Sequence, residues 1–269
     1  MRTLDDTAIA AAAEALVAAE AQRRQIGLLT RAHPDMTMED AYAIQAALVA
    51  RKLAAGRRID GWKIGLTSKA MQAALNIDIP DSGILFDDMF FASGATIPDG
   101  RFIETRIEAE IAFVMKAGLS GADVTRDDVL AATDYVTPAL EILDTRILRA
   151  DPETGAGRKI FDTISDNAAN AGIVLGADRH DPGAVDLRWV GCICARNGAV
   201  EETGLGAGVL NDPVTGILWL VHRLAAYGQG IAAGQTVLSG SFIRPVEARS
   251  GDDFHADFGS FGQVTCHFA

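Results

Sequence analysis

The sequence predicts an α+β fold: a helical part over about residues 1–57, then a strand-rich body over 58–269. Three observations carry this. Ala-rich helical periodicity runs through the first fifty-odd residues, with Ile9 and Leu16 on one side of a first helix and Ala41, Ile44 and Leu48 on one stripe of a second. Strict alternation follows in Ile107–Met115, where Ile107, Ala109, Ile111, Phe113 and Met115 interleave with Glu108, Glu110, Ala112 and Val114. From Ile59 onward, short apolar runs are punctuated by Gly, Asn and Asp, the pattern of strands between turns.

Composition narrows the function classes. The chain of 269 residues is long enough for a full core, and 49% hydrophobic with 22% charged residues is an ordinary globular mix. Its net charge of −12 disfavours nucleic acid or an anionic membrane surface as partner. The N-terminus, broken by Asp5, Asp6, Glu14 and Glu20, resembles neither a secretory nor a transit segment, and no apolar run reaches membrane-spanning length. A cytoplasmic location is expected. Cys192, Cys194 and Cys266 read as buried inert thiols, because a C-x-C without a second pair or a nearby His is a poor zinc signal.

The elements follow in order. The first helix is expected over residues 3 to about 27. Thr37 and Asp40 form an acidic capping box for a second helix over about 38–55, stopped by Gly56. Thr125–Asp128 opens a short helix to about Asp134 in the same way. In Ile160–Asn170, Ser165 or Asp166 is a candidate N-cap, and the polar run could equally line a substrate pocket. A strand is expected over Leu187–Arg196, an Asn197-Gly198 hairpin turn after it, and a helix begun by Asp212-Pro213. Gly204-Leu205-Gly206-Ala207-Gly208 lacks the preceding apolar strand and the following Lys-Ser/Thr of a phosphate loop.

Chemistry concentrates in a few acids and one lysine. The alternation puts Glu108 and Glu110 on one strand face, about 6.5–7 Å apart along the chain, so their carboxylates can converge on one ion. Glu141 sits alone in an apolar run of Ala139, Leu140, Ile142 and Leu143. Three such oxygens suit Mg²⁺, Mn²⁺ or Ca²⁺; the alternative is a solvated strand face. Lys63, between Gly61 and Gly65, either snorkels to the surface or sits in a pocket that lowers its pKa. Asp81, between Pro80 and Ser82-Gly83, reads locally as an Asx-turn residue.

The segments GWKIGLTSKAMQ, IPDSGILFDDMFF, RIEAEIAFVM, DYVTPALEILDTRI and FDTISDNAANAGIVLG together resemble the 2-oxo-acid hydratase and decarboxylase branch of the fumarylacetoacetate hydrolase superfamily. That resemblance implies a mixed, strongly curled β-structure and assembly into homo-oligomers. It implies a divalent ion, usually Mg²⁺ with Mn²⁺ as an alternative, held by Glu108, Glu110 and Glu141, with Lys63 and Asp81 as the acid–base pair. Here the Lys63 pKa is expected to be lowered by the metal and burial, and that of Asp81 raised by a partly closed pocket. The implied reaction is hydration of a 2-oxo-enoate dicarboxylate in aromatic meta-cleavage catabolism. The alternatives are decarboxylation of a 2-oxo-enedioate, hydration of a monocarboxylate, and a non-catalytic role stabilising a sister enzyme. Thr163, Ser165 and Asn167 are candidates for positioning water or the head group. Lys159, Lys69, Arg146 and Arg158 are candidates for the second carboxylate.

Overall fold

The chain is described over residues 1–69, 72 and 79–269 in a computed structural model; Ala70 and Met71 of the GWKIGLTSKAMQ segment lie outside the described residues. Helix α1 spans Asp6–Gln22, capped by Asp5, whose carboxylate accepts from the Ala8 amide at 2.8 Å. It ends earlier than the sequence predicts because the next residues are recruited by the body. Arg23 turns left-handed, and Ile26 pairs with Ile147, exchanging backbone hydrogen bonds with Arg146 and Leu148. After a single turn, α2 (Leu29–Ala32), helix α3 spans Met38–Ala54 and carries the Thr37–Asp40 capping box. The Asp40 carboxylate also accepts from the Thr3 and Leu4 amides, so one buried acid ties the chain start to α3.

The main sheet is built from β1 (Ile59–Gly65), β2 (Asp81–Phe86), β3 (Phe90–Ala92), β5 (Arg106–Met115), β7 (Thr133–Leu143), β8 (Asn170–Leu175), β12 (Thr236–Ser241) and β13 (Val246–Glu247). Its order is β2-β1-β12-β5-β7-β8-β3, with β13 beside β5. The β1–β12 and β3–β8 pairs are parallel and the others antiparallel, the mixed sheet expected. A second sheet runs β10 (Ala199–Leu205), β9 (Gly191–Arg196), β14 (Asp253–Asp257), β15 (Gln263–Phe268), β4 (Ala95–Ile97). A short β6–β11 pair (Leu119–Ser120 with Gly230–Ile231) completes the strands named.

The main sheet curls until its β2 edge meets the turn that enters β8. There the Asn167 side chain donates to Ile84 O at 2.9 Å and accepts from Ile84 N at 2.8 Å, while Asn170 Nδ2 donates to the same carbonyl at 3.0 Å. Two side-chain amides thus satisfy an edge that would otherwise be open. Holding that turn puts Asn167, Ala168 and Ala169 all at positive φ (52°, 54° and 58°), a conformation unfavourable for side chains with a Cβ.

Other boundaries differ from expectation for local reasons. Helix α4 (Arg126–Ala132) passes directly into β7 at Thr133. Helix α5 (Ile160–Ser165) ends at the polar run instead of beginning there: Asp162 already accepts from the Lys159 amide, and Ser165 Oγ donates back to Phe161 O at 2.8 Å. Asp81 opens strand β2 and is no Asx-turn residue. Leu187–Trp189 forms a 3₁₀ turn capped by Asp186, which delays the strand to Gly191. Helix α6 (Pro213–Ala225) begins at Asp212-Pro213, as the sequence predicts. Gly204 and Gly206 have a packing role, since a Cβ at either would stand 2.0 Å from a carbonyl oxygen, Phe242 or Leu187. One hydrophobic core runs from Leu16 and Ile44 in the helices through Phe86, Phe113 and Ile173 in the sheet.

Candidate metal centre

Strand register assembles the site. Glu108 on β5 stands directly opposite Glu141 on β7, and Glu110 is opposite Ala139 on one side and Ser241 on the other. Period-two alternation keeps Glu108 and Glu110 on one face, so the three carboxylates converge, each offering an oxygen within 4.8 Å of the others. Glu110 and Glu141 are fully buried and Glu108 is half-buried.

Lys63 and Asp81 enter from β1 and β2. Gly65 is paired with Asp81, and Lys63 with Gly83, so these four positions share a face. Lys63 Nζ stands 3.3 Å from Glu141 Oε1, an ion-pair contact without the alignment of a hydrogen bond. An ideal Cβ at Gly65 would lie 2.2 Å from Asp81 Oδ1 and 3.1 Å from Lys63 Nζ, so both groups occupy the space a side chain would fill. Both are buried.

Four carboxyls therefore face one ammonium. Burial, reinforced by the neighbouring acids, pushes Glu108 up to about 8 and Glu110 well above the ordinary range. Burial also raises Glu141 and Asp81, against the pull of Lys63. Burial alone would lower the Lys63 pKa; among the protein's own groups Glu141, Asp81, Glu108 and Glu110 outweigh burial and hold the ammonium above the usual lysine value, the bound ion that the expectation invoked standing outside that balance.

The donor set fits a hard divalent cation. Among the described residues, Glu110 Oε1, both Glu141 oxygens and Asp81 Oδ1 are buried with no hydrogen-bond partner, while Glu110 Oε2 accepts from the Gly240 amide at 2.8 Å. Buried carboxylate oxygens without partners are costly unless a cation shares them.

The remaining candidates scatter. Thr163 is half-buried on α5; Ser165 and Asn167 spend their polar atoms on Phe161 and Ile84. Lys159 and Lys69 are exposed. Arg146 is buried and committed to Asp166 (2.5 Å) and to the carbonyls of Asp166 and Asn170. Cys192, Cys194 and Cys266 are buried free thiols, with burial raising Cys194 to about 11 and Cys266 to about 12. Sequence reasoning passes over Gly65, Gly83 and the Gly240 amide; glycines two residues either side of Lys63 are the available signal.

No family model matches the chain. It is 54% identical over 256 residues to the 2-oxo-hept-4-ene-1,7-dioate hydratase of Escherichia coli, covering 95% of this chain and 96% of that one. It is 39% identical to the 2-keto-4-pentenoate hydratase of Paraburkholderia xenovorans, covering 96% and 93%. The structure of 4-oxalocrotonate decarboxylase from Pseudomonas putida G7, complexed with magnesium and adipate, superposes with a TM-score of 0.93 at 34% identity, covering all of both chains.

Proposed function

The chain belongs to the 2-oxo-acid hydratase and decarboxylase branch of the fumarylacetoacetate hydrolase superfamily, and from that premise we propose that it adds water to 2-oxohept-4-ene-1,7-dioate, giving 4-hydroxy-2-oxoheptane-1,7-dioate in aromatic meta-cleavage catabolism. The observation that carries the reading is the convergence of three buried or half-buried glutamates, with unpartnered oxygens, beside Lys63 and Asp81.

Glu108, Glu110 and Glu141 would hold the ion, Mg²⁺ in the first instance and Mn²⁺ as a substitute. When bound, it supplies a Lewis acid for the 2-oxo carboxylate head and a template for its orientation. The Gly240 amide fixes one Glu110 oxygen, so that this carboxylate is aimed before the ion arrives. Lys63 and Asp81 are the pair that moves protons. Hydration needs a proton taken from C3 (or from the 2-hydroxyl of the dienol form) and one delivered to C5 as the double bond moves to C3–C4, then water added across that bond, hydroxyl at C4 and proton at C3.

A decarboxylase of the same branch is the second reading, favoured by the close superposition on such an enzyme. Product analysis separates the two. The hydratase consumes 2-hydroxyhepta-2,4-diene-1,7-dioate with Mg²⁺ and yields the 4-hydroxy-2-oxo dioate without CO₂. Release of CO₂ from a 2-oxo-enedioate, without hydration, would move the assignment to the decarboxylase.

We propose a homo-oligomeric, cytoplasmic enzyme. Exposed Trp189, Ile193, Val200 and Leu205 on or beside the β9–β10 edge support self-association. Among the described residues no helix is long and apolar enough to cross a membrane.

A further inference from the structure

On the hydratase reading the substrate carries a second carboxylate at the far end of its chain, and an anion drawn into a protein site needs a cationic partner. The register of β5 against β7 points to one. Glu108 faces Glu141, and two residues earlier, on the same face, Arg106 faces Leu143. Same-face neighbours are about 6.5–7 Å apart along a strand, so Arg106 leaves the sheet one step from the carboxylate cluster.

Arg106 is poorly satisfied for a guanidinium so placed. Its side chain is 25% exposed, and its Nε is buried without a hydrogen-bond partner among the described residues. Its ion-pair contact is with Glu247 at 3.4 Å, an acid that is itself 51% exposed on β13. Two more arginines stand on the loop that follows β7, where Arg158 N donates to Arg149 O at 2.8 Å and Ala150 bridges Gly157. Arg149 is within Coulombic range of Arg106 and is held by Glu104. The Arg158 guanidinium forms no ion pair among the described residues, and its one hydrogen bond among them is to Ile147 O, at 3.5 Å. Burial and the nearby Arg149 lower the Arg158 pKa against the pull of Asp166, Glu104 and Asp162. In a chain of net charge −12, three arginines gathered around Arg149 near this end of β5 run against the general field.

We propose that Arg106, supported by Arg149 and Arg158, receives the distal carboxylate of the substrate and sets a preference for dicarboxylates over monocarboxylates of the same class. This extends the hydratase reading and rests on it. A planar guanidinium with free donors suits a carboxylate in two-point contact. Of the other candidate cations, Lys69 and Lys159 are exposed and Arg146 is fully committed elsewhere.

The test is calorimetric binding of two unreactive ligands to the full chain with Mg²⁺: 2-oxoheptanedioate, and 2-oxopentanoate, which lacks the distal group. The wild type should favour the dicarboxylate by at least about 10-fold, and Arg106→Gln should weaken dicarboxylate binding by about 10- to 100-fold with little effect on the monocarboxylate. Arg106→Lys should recover part of the loss. Equal weakening of both ligands, or an unchanged preference, would overturn the proposal. Should Arg106→Gln not fold, Arg158→Gln reads the same receptor, with a loss of about 3- to 10-fold for the dicarboxylate alone. Failure of the hydratase reading looks different: the wild type would retain its dicarboxylate preference yet leave 2-hydroxyhepta-2,4-diene-1,7-dioate unhydrated.

Discussion

At the scale of single residues, strand register sets Glu141 opposite Glu108, and the buried Lys63 ammonium stands 3.3 Å from Glu141. Period-two alternation puts Glu108 and Glu110 on one face, but no local pattern pairs Glu141 with Glu108 across two strands. Lys63 is the instructive case. Its apolar flanks suggest a lowered pKa, whereas four carboxyls folded around it from distant positions raise it. Its proposed role in proton transfer predicts that Lys63→Met binds Mg²⁺ as the wild type does and loses at least about 10²-fold in rate. A near-normal rate, measured alongside metal affinity, would leave Lys63 a purely electrostatic part. Asn167 reads in the sequence as a substrate group, yet both ends of its amide are spent on Ile84. Asn167→Ala should therefore cost about 1–3 kcal/mol in denaturant unfolding, because it strips two backbone partners at a curled edge.

At the scale of elements, caps and turns are the most readable features. The Thr37–Asp40 and Thr125–Asp128 boxes and the Asp212-Pro213 start all form where the local sequence places them. Ends set by distant partners are not readable: α1 stops at Gln22 because Ile26 is claimed by Ile147. Asp40 carries a pH prediction. Burial alone would raise its pKa, but the amides of Thr37, Leu4 and Thr3 outweigh burial and hold the carboxylate well below the ordinary aspartate range. A depressed native pKa contributes stability that is complete above the unfolded value, about 3.9, and is lost as pH falls below it. Asp40→Asn should accordingly be about 1–3 kcal/mol less stable at neutral pH and should lose less further stability between about pH 5 and pH 2 than the wild type. Parallel unfolding curves for the two proteins across that range would contradict this account.

At the scale of the whole molecule, the mixed sheet and helical layer follow from composition and periodicity, while the curl depends on non-local contacts such as Asn167 with Ile84. Because one core joins the helices to the sheet, we propose that residues 1–57 and 58–269 unfold together. Thermal denaturation should show one transition, and Mg²⁺ at about 100 times its Kd should add about 2.7 kcal/mol of stability by binding only the folded state. Two separated transitions, or no response to the ion, would argue against it. The most direct test of the central claim compares metal-stripped wild type with Glu141→Ala, following loss of the dienol absorbance of 2-hydroxyhepta-2,4-diene-1,7-dioate as Mg²⁺ is titrated. The predicted result is saturable, Mg²⁺-dependent hydration in the wild type and none in a folded Glu141→Ala. Equal turnover by both proteins, or turnover indifferent to the ion, would contradict it.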